Sequence, residues 1–201
     1  MEQIIFATKN NGKIKEVKAI LSDLPFEIIS MQQAGINTEV IEDGETFTQN
    51  ALKKATEIAK ISGKITLADD SGLEIDFLDK KPGVLSARYL GENTPYTQKN
   101  NHILHLMQNV PYENRTARFV CAIAAAFPSG KTLTTIDTIE GIISYEIKGK
   151  NGFGYDPIFF VPELQKTTAE LSPEQKNAIS HRGKALKKMK QLLIKEEEAQ
   201  H

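Results

Sequence analysis

The sequence predicts an α/β fold arranged as one globular unit. Strand-like apolar runs alternate with helical patterns in the first half of the chain, two long strand-like runs follow one another in the second half, and a helical pattern closes the chain. The chain has 201 residues, of which 40% are hydrophobic. A chain of this length buries roughly 70% of the surface that it exposes when unfolded, which is enough for one sizeable core or for two fused lobes.

The first half of the chain contains two predicted strands and two predicted helices. Residues 2–7 form a short apolar strand, and residues 12–23 carry apolar side chains at helical spacing. Residues 46–49 have the sequence TFTQ, a capping-box pattern that opens a second helix, and Gly63 ends that helix. The next predicted strand, residues 64–68, leads directly to a pair of aspartates.

The second half contains a strand, a helix, a pair of long strands and a closing helix. Alternating apolar and polar residues over 73–77 predict a half-buried strand, and a Thr-Pro pair opens a helix over residues 94–109. Residues 115–127 and 132–147 are predicted strands joined by a Pro-Ser-Gly turn. Ser180 is the predicted N-cap of the last helix, in which apolar residues recur at helical spacing.

Composition and charge indicate the cellular compartment of the protein and the kinds of partner that it lacks. The 25 Lys and Arg residues nearly balance the 26 Asp and Glu residues, so no overall field attracts nucleic acid. The single cysteine, Cys121, cannot form an internal disulfide, which fits a reducing compartment. The first residues are too weakly apolar for a signal peptide, and no stretch has the roughly 20 apolar residues of a membrane span. We expect a soluble cytoplasmic protein without nucleic-acid or membrane partners.

Asp69 and Asp70 stand side by side after an apolar strand. Two neighbouring carboxylates repel each other and lose hydration when buried, so a cation is expected near them. Mg²⁺ is commonly held by one or two carboxylates together with substrate phosphates, and Glu42 and Asp70 could supply them. Because neighbouring strand residues point to opposite faces, only one of the two aspartates meets the ion. The alternative is that the acidic residues around Glu42 only complement a helix dipole.

The run from Thr8 to Lys13 joins a strand to a helix through small polar residues and two lysines. Backbone N–H groups at a helix start, together with the positive end of the helix dipole, can bind phosphate. An ordinary strand-to-helix turn is the alternative interpretation.

Two later segments combine features that suit a nucleotide. Residues 149–157 contain three glycines, two aromatic residues and an aspartate, so the backbone can approach a ligand closely and Phe153 can stack on a planar base. A tight turn with aromatic anchors is an equal alternative. Residues 176–182 place donors, including His181 and Arg182, at a helix start, where an anion or an acceptor-rich ligand would offset their positive charge.

These motifs occur in one order that resembles the inosine triphosphate pyrophosphatase family, also called dITP/XTP diphosphatases. The matching segments are TKNNGK, EDGETFTQNALKKA, LADDSGLEID, PGVLSARYLG, GKNGFGYDPIFF and AELSPEQKNAISHRGKAL, between residues 8 and 186. The resemblance implies one pyrophosphatase domain over residues 1–201, built as an elongated mixed β-sheet flanked by helices in two lobes with a central cleft. It also implies a homodimer that uses Mg²⁺ to hydrolyse ITP, dITP and XTP to the monophosphate and pyrophosphate. Gln49 departs from the family, where Glu is usual.

The resemblance also implies roles for single residues. The residues implied to contact the triphosphate are Thr8, Lys9, Asn10, Asn11, Gly12, Lys13 and Lys54. Those implied to contact the rest of the nucleotide are Ser71, Phe153, Gly154, Tyr155, Asp156, Lys176, His181 and Arg182. Glu42 and Asp70 are the implied metal ligands, and Asp70 is also the implied proton acceptor. A donor from His181 or Arg182 to the 6-oxo oxygen would select oxo-purines over adenine.

Two competing functions remain open at this point. A sensor that holds a purine triphosphate without turnover would share the phosphate loop and the stacking aromatic residue, but it would have little need for clustered carboxylates. A related pyrophosphatase acting on modified pyrimidines would share the carboxylates and differ in its substrates.

Overall fold

The structure, a computed structural model, describes residues 2–199, and of Glu2 only the backbone. Seven strands and five α-helices occur in this part of the chain. They are β1 Glu2–Phe6, α1 Asn11–Ile20, β2 Phe26–Ser30, α2 Phe47–Ser62, β3 Thr66–Ile75, α3 Tyr96–Leu106, β4 Thr116–Ala126, β5 Thr132–Ile143, β6 Phe159–Val161, β7 Lys166–Thr167, α4 Pro173–Ile179 and α5 His181–Glu198. Short 3₁₀ helices lie at Asp76–Leu78, Gly83–Leu85, Tyr112–Asn114, Asp156–Ile158, Pro162–Leu164 and Thr168–Glu170.

The strands form one mixed sheet in the order β2-β1-β3-β4-β5-β6-β7. β1 runs parallel to β2, with Ile4 opposite Ile28, and also parallel to β3. β6 runs antiparallel to both β5 and β7. The α/β class and the mixed sheet that the sequence and the resemblance predict are therefore confirmed.

The chain divides into two compact units. The first comprises residues 2–70, 121–137 and 181–199 of the described chain, and the second comprises residues 71–120 and 138–180. Each unit has its own apolar core. In the first, side chains of β1, α1, β3, β4 and α5 pack together, including Phe6, Leu67 and Leu186. In the second, Ile103 packs with Phe119 and Phe159, whose ring centroids lie 4.4 Å apart.

The predicted start and end of α2 are confirmed. The Thr46 hydroxyl accepts from the Gln49 backbone N–H at 3.2 Å, and the Gln49 side chain accepts in return from the Thr46 backbone N–H at 3.3 Å. Gly63 follows the last turn in the left-handed conformation, with a φ of 66°, which glycine adopts without the strain that a Cβ brings. Gln49, where the family usually has Glu, thus serves as a cap.

Other boundaries differ from the prediction. The two aspartates do not end a strand: β3 continues through Asp69, Asp70, Ser71 and Gly72 to Ile75 without interruption. The short strands β2, β6 and β7 and the seven-residue helix α4, whose N-cap is Ser172, were not predicted. Ser180, the predicted N-cap of the last helix, directly precedes α5 and is also the C-cap of α4, where its backbone N–H donates to the Lys176 carbonyl. Within the described residues, no helix is long and apolar enough to cross a bilayer.

Candidate active site

Asp69 is the buried anion of the first unit. Its side chain is 0% exposed, and it accepts from Lys13 Nζ at 3.1 and 2.9 Å and from Arg182 Nε and Nη2 at 3.2 and 3.1 Å. Burial alone would raise the pKa of Asp69, but the charges of Lys13 and Arg182 outweigh it and hold that pKa well below its ordinary value. Asp69 therefore stays ionised as the counter-ion of two cations.

Arg182 is bound from two sides. Its guanidinium, 2% exposed, contacts Asp69 through Nε and Nη2 and Glu16 through Nη1. Burial alone would lower the pKa of Arg182, but the charges of Asp69 and Glu16 raise it. The arginine is thus a fixed positive charge at the start of α5, held to β3 and to α1.

Asp70, the next residue, has different partners. It accepts from Asn50 Nδ2 at 2.9 Å, and the charges of Lys54 and Glu42 act on it. Burial raises the pKa of Asp70 to about 6, although Lys54 and the Asn50 hydrogen bond oppose this rise; the Glu42 charge adds to it. The two aspartates thus have different hydrogen-bond partners, as the alternation of a strand favours, although the charge of Lys54 acts on both.

Glu42 and Lys54 complete the surroundings of Asp70. Lys54 Nζ lies 2.9 Å from Glu42 Oε1. Burial would lower the pKa of Lys54, but the charges of Asp69, Glu42 and Asp70 outweigh this and raise it. The lysine therefore remains charged among three carboxylates from two segments of the chain, β3 and the segment that bears Glu42.

Glu42 and Asp70 are suitable ligands for a hard divalent cation. The Glu42 charge contributes to the raised pKa of Asp70, so the two carboxylates repel each other across a partly dehydrated site, and a cation would relieve that repulsion. Among residues 2–199 no group of three or more His, Cys, Asp or Glu side chains could hold a metal ion. A cation bound here would therefore take further ligands from water or from a substrate, as Mg²⁺ commonly does.

The predicted phosphate turn lies at the start of α1. Asn10 caps the helix: its Oδ1 accepts from the Gly12 and Lys13 backbone N–H groups at 2.9 and 3.2 Å, and its own N–H donates to Thr8 Oγ1. The expectation of free N–H groups is wrong for these two, because the cap already satisfies them. The polar side chains of Lys9, Asn10 and Asn11 remain exposed.

Asp156 organises the glycine-rich loop of the second unit. Its Oδ2 accepts from Lys176 Nζ at 2.6 Å and from the Phe153 N–H at 2.8 Å, while its Oδ1 accepts from the Thr168 hydroxyl at 2.8 Å. Lys176 Nζ also lies 4.7 Å from the centre of the Phe153 ring. The ion pair is almost fully buried, so Lys176 is held as part of this loop.

Tyr155 and Gly154 are also fixed by hydrogen bonds in the second unit. The Tyr155 hydroxyl donates to the Ser86 carbonyl at 2.8 Å, and burial raises the Tyr155 pKa. The Gly154 carbonyl accepts from Asn100 Nδ2 at 3.1 Å. Tyr155 is thus an anchor of the loop, which agrees with the structural alternative considered for this segment.

The structure brings some of the predicted residues together within each unit. In the first unit these are Lys13, Glu42, Lys54, Asp69, Asp70 and Arg182, and in the second they are Phe153, Asp156 and Lys176. Ser71 is half-buried on β3 next to Asp70, and His181 is buried next to Arg182. Glu16 and Thr168 were not predicted as site residues, since neither stands in a recognisable motif. Asn50 was also given no role, although the spacing of Asn50 and Lys54 on one helix face was a usable signal.

Comparison with known proteins identifies the family of the chain. A model of the Ham1 family matches residues 4–192. The chain belongs to the Ham1 family. The dITP/XTP pyrophosphatase of Desulforamulus reducens is 49% identical over 191 residues, which cover 95% of either chain. That of Geobacter sulfurreducens is 50% identical over 190 residues, covering 94% of this chain and 96% of the relative. The resemblance drawn from the motifs is confirmed.

Solved Ham1-family structures have the same fold. A HAM1 protein from Coxiella burnetii matches with a TM-score of 0.88 and 41% identity, covering 97% of this chain and all of the other. The nucleoside-triphosphatase / dITP/XTP pyrophosphatase of Mycobacterium abscessus matches with a TM-score of 0.74 and 39% identity, covering 93% of this chain and 98% of the other.

Proposed function

We propose that this Ham1-family protein hydrolyses dITP, ITP and XTP to the monophosphate and pyrophosphate, and so removes non-standard purines from the nucleotide pool. The observation that carries the proposal is the cluster of half-buried Glu42 with buried Asn50, Lys54 and Asp70, in a chain about half identical to named dITP/XTP pyrophosphatases. A protein that only bound nucleotides would have little need for such clustered carboxylates.

Mg²⁺ is the proposed cofactor, and Glu42 and Asp70 are its proposed ligands. When bound, the ion would neutralise phosphate charge and polarise a phosphoryl oxygen. The support is chemical: both ligands are carboxylates, the Asp70 pKa is raised by burial and by Glu42, and Lys54 lies beside them to meet a phosphate oxygen.

Asp70 is the proposed proton acceptor for the attacking water. The role is implied by the family resemblance. A cation bound at Asp70 would lower the pKa of this carboxyl from the value of about 6 that burial gives it, and so keep the carboxylate ionised and able to accept a proton. The Asn50 hydrogen bond to Oδ2 holds the carboxylate in one orientation. Attack at the first phosphate is taken from the family resemblance.

Lys13 and Lys54 are the proposed cationic contacts of the triphosphate, together with the Thr8–Lys13 turn. Each ammonium has three donors, so a lysine that is paired with a carboxylate can still donate to phosphate. Such fixed donors stabilise negative charge that develops on the departing pyrophosphate.

The purine is proposed to be read by donors at the start of α5 and by residues of the glycine-rich loop. Hypoxanthine and xanthine present an acceptor oxygen at position 6, where adenine presents an amine. A donor from His181 or Arg182 would be left unpaired by adenine, a mismatch that can reach roughly 10⁴-fold in rate. Phe153, held by Asp156, is the proposed stacking residue, and Ser71, Gly154, Tyr155 and Lys176 are the remaining proposed nucleotide contacts.

A panel of triphosphates tests the proposal. The purified protein is incubated with Mg²⁺ and, in separate reactions, with ITP, dITP, XTP, GTP, ATP or dUTP, and pyrophosphate and monophosphate are measured. We expect pyrophosphate to be released from ITP, dITP and XTP, and far more slowly from ATP. Binding of ITP without release would instead support a sensor, and preferential hydrolysis of dUTP would support a pyrimidine enzyme. The same reaction with EDTA in place of Mg²⁺ is the control for the cofactor.

The setting of the enzyme is also a proposal. The nearly balanced charge and the single, fully buried Cys121 support a cytoplasmic protein that acts on small molecules without nucleic-acid or membrane partners. A homodimer is implied by the resemblance, and exposed apolar side chains such as Phe77, Tyr112 and Tyr145 offer surface for it. Light scattering of the purified protein would give its oligomeric state.

A further inference from the structure

Asn50 bridges two parts of the candidate metal site. It is 0% exposed, its Oδ1 accepts from the Gly44 backbone N–H at 2.7 Å, and its Nδ2 donates to Asp70 Oδ2 at 2.9 Å. Gly44 lies two residues after Glu42, so a single amide connects the segment that bears one carboxylate to the other carboxylate. An amide carries an acceptor and a donor on separate atoms, so it can join an N–H group to a carboxylate that lies some distance away.

We propose that Asn50 is a positioning residue of the metal site, which fixes the orientation of the Asp70 carboxylate and the distance of the Glu42 segment from it. This inference rests on the proposed function, in which Glu42 and Asp70 hold Mg²⁺. Groups that hold metal ligands in place commonly control affinity, and their loss typically costs 10- to 100-fold.

Gly44 gives independent support for the bridge. A Cβ at this position would lie 2.7 Å from Asn50 Oδ1 and 2.9 Å from Gln49 Cβ, closer than real side chains allow. The φ of Gly44 lies outside the left-handed region that favours glycine, so its backbone conformation does not require this residue type. What requires glycine here is the close approach of the start of α2, where the Asn50 amide oxygen comes nearest and Gln49 Cβ comes next.

The helix keeps Asn50 in place. The Asn50 N–H donates to the Thr46 carbonyl at 3.1 Å, in the first turn of α2, which the capping box stabilises. Lys54 follows four residues later on the same helix face and contacts Glu42. Two neighbouring side chains of one capped helix therefore control both carboxylates, one through Asp70 and the other through Glu42.

Metal affinity in the absence of nucleotide tests the inference. Metal-free wild type and Asn50→Ala are titrated with MnCl₂, a hard divalent probe, and the unbound ion is followed by electron paramagnetic resonance. We expect the dissociation constant to rise about 10- to 100-fold in Asn50→Ala. With ITP, the Mg²⁺ concentration at half-maximal rate should rise by a similar factor, while KM for ITP at saturating Mg²⁺ should change by less than about threefold.

Matched variants separate positioning from a general loss of structure. Asn100→Ala also removes a buried asparagine that donates to one acceptor, but it should leave Mn²⁺ affinity unchanged. Gly44→Ala should weaken Mn²⁺ binding as Asn50→Ala does, and the double variant should be no worse than either single one, because both changes break the same bridge. If Asn50→Ala does not fold, Asn50→Ser is measured in its place, with the same expectation.

The outcomes distinguish this inference from the proposed function. If the wild type binds Mn²⁺ and hydrolyses ITP but the Asn50 variants have unchanged Mn²⁺ affinity, the positioning role is overturned. The proposed function is then still supported. Wild type that neither binds Mn²⁺ nor hydrolyses ITP overturns both. Additive losses in the double variant would show that Gly44 and Asn50 act separately, which also contradicts the inference.

Discussion

Replacing each of the two adjacent aspartates with asparagine should change stability in opposite directions. Asp70→Asn removes a carboxylate whose burial raises its pKa from 3.8 to about 6. Keeping that carboxylate ionised at neutral pH costs up to about 3 kcal/mol. The asparagine can still accept from Asn50 but loses the attraction of Lys54, so we expect the metal-free protein to gain about 1–3 kcal/mol. For a chain of this length that gain corresponds to a rise in Tm of roughly 2–12 °C.

Asp69→Asn should do the reverse. It leaves Lys13 and Arg182 buried without the anion that neutralises them, and removing one partner of a buried ion pair costs about 3–5 kcal/mol. The two substitutions make the same chemical change at neighbouring positions of one strand, so each is the matched control of the other.

The assay is denaturant and thermal unfolding in EDTA as a function of pH. The raised pKa of Asp70 means that the folded wild type takes up a proton as the pH falls through about 6, while the unfolded chain does so only near 3.8. The advantage of Asp70→Asn should therefore be greatest above pH 6 and disappear near pH 4. The deficit of Asp69→Asn should persist to about pH 4, because the pKa of Asp69 is lowered. An Asp70→Asn variant less stable than wild type at pH 8 would refute the reasoning.

Three further predictions concern the glycine-rich loop and the pH dependence of metal binding. Asp156→Asn should cost about 3–5 kcal/mol in chemical denaturation, because Lys176 is left buried without its counter-charge; a loss below about 1 kcal/mol would contradict this. Gly152 has a φ of +73°, and the Cβ of a Gly152→Ala variant would lie 2.1 Å from Asp156 Oδ2. Gly130 has a φ of +89°, but a Cβ there would meet no heavy atom within 4 Å. Gly152→Ala should therefore lower Tm more than Gly130→Ala. The open position should lose only about 1–2 kcal/mol, so equal Tm values would be inconsistent with the clash. Calorimetric Mg²⁺ affinity should fall about tenfold for each pH unit below about 6, because the ion competes with one proton on Asp70; a flat profile would exclude that competition.

Local sequence signals predicted the parts of the fold that depend on neighbouring residues. The capping box of α2, its terminal glycine and the turn between β4 and β5 all depend on residues a few positions apart, and each was found. The strand β2 has five residues and the helix α4 has seven. Segments this short show no clear period, but the equally short β1 was predicted from its apolar run, and the capping box of Ser172 and Gln175 was a usable signal for α4.

The continuity of β3 could not be read from the sequence, because its stabilising partners are distant. Two aspartates, a serine and a glycine in succession are typical of a loop. Asp69 is tolerated inside the strand because Lys13 and Arg182, which are 56 and 113 positions away, neutralise it. The sequence singled out both aspartates and predicted a metal-ligand role for Asp70 alone. It could not show that Asn50 bridges to Asp70, since that contact depends on how α2 packs on β3.

The most direct test is to measure pyrophosphate release from ITP in the presence of Mg²⁺, for wild type and Asp70→Asn side by side. This measurement decides whether the carboxylate cluster is a hydrolytic centre. ITP binding is followed in the same samples by calorimetry. We predict that wild type releases pyrophosphate and that Asp70→Asn still binds ITP but turns it over at least about 10²–10⁴ times more slowly. A variant that hydrolyses ITP at the wild-type rate would show that the chemistry takes place elsewhere.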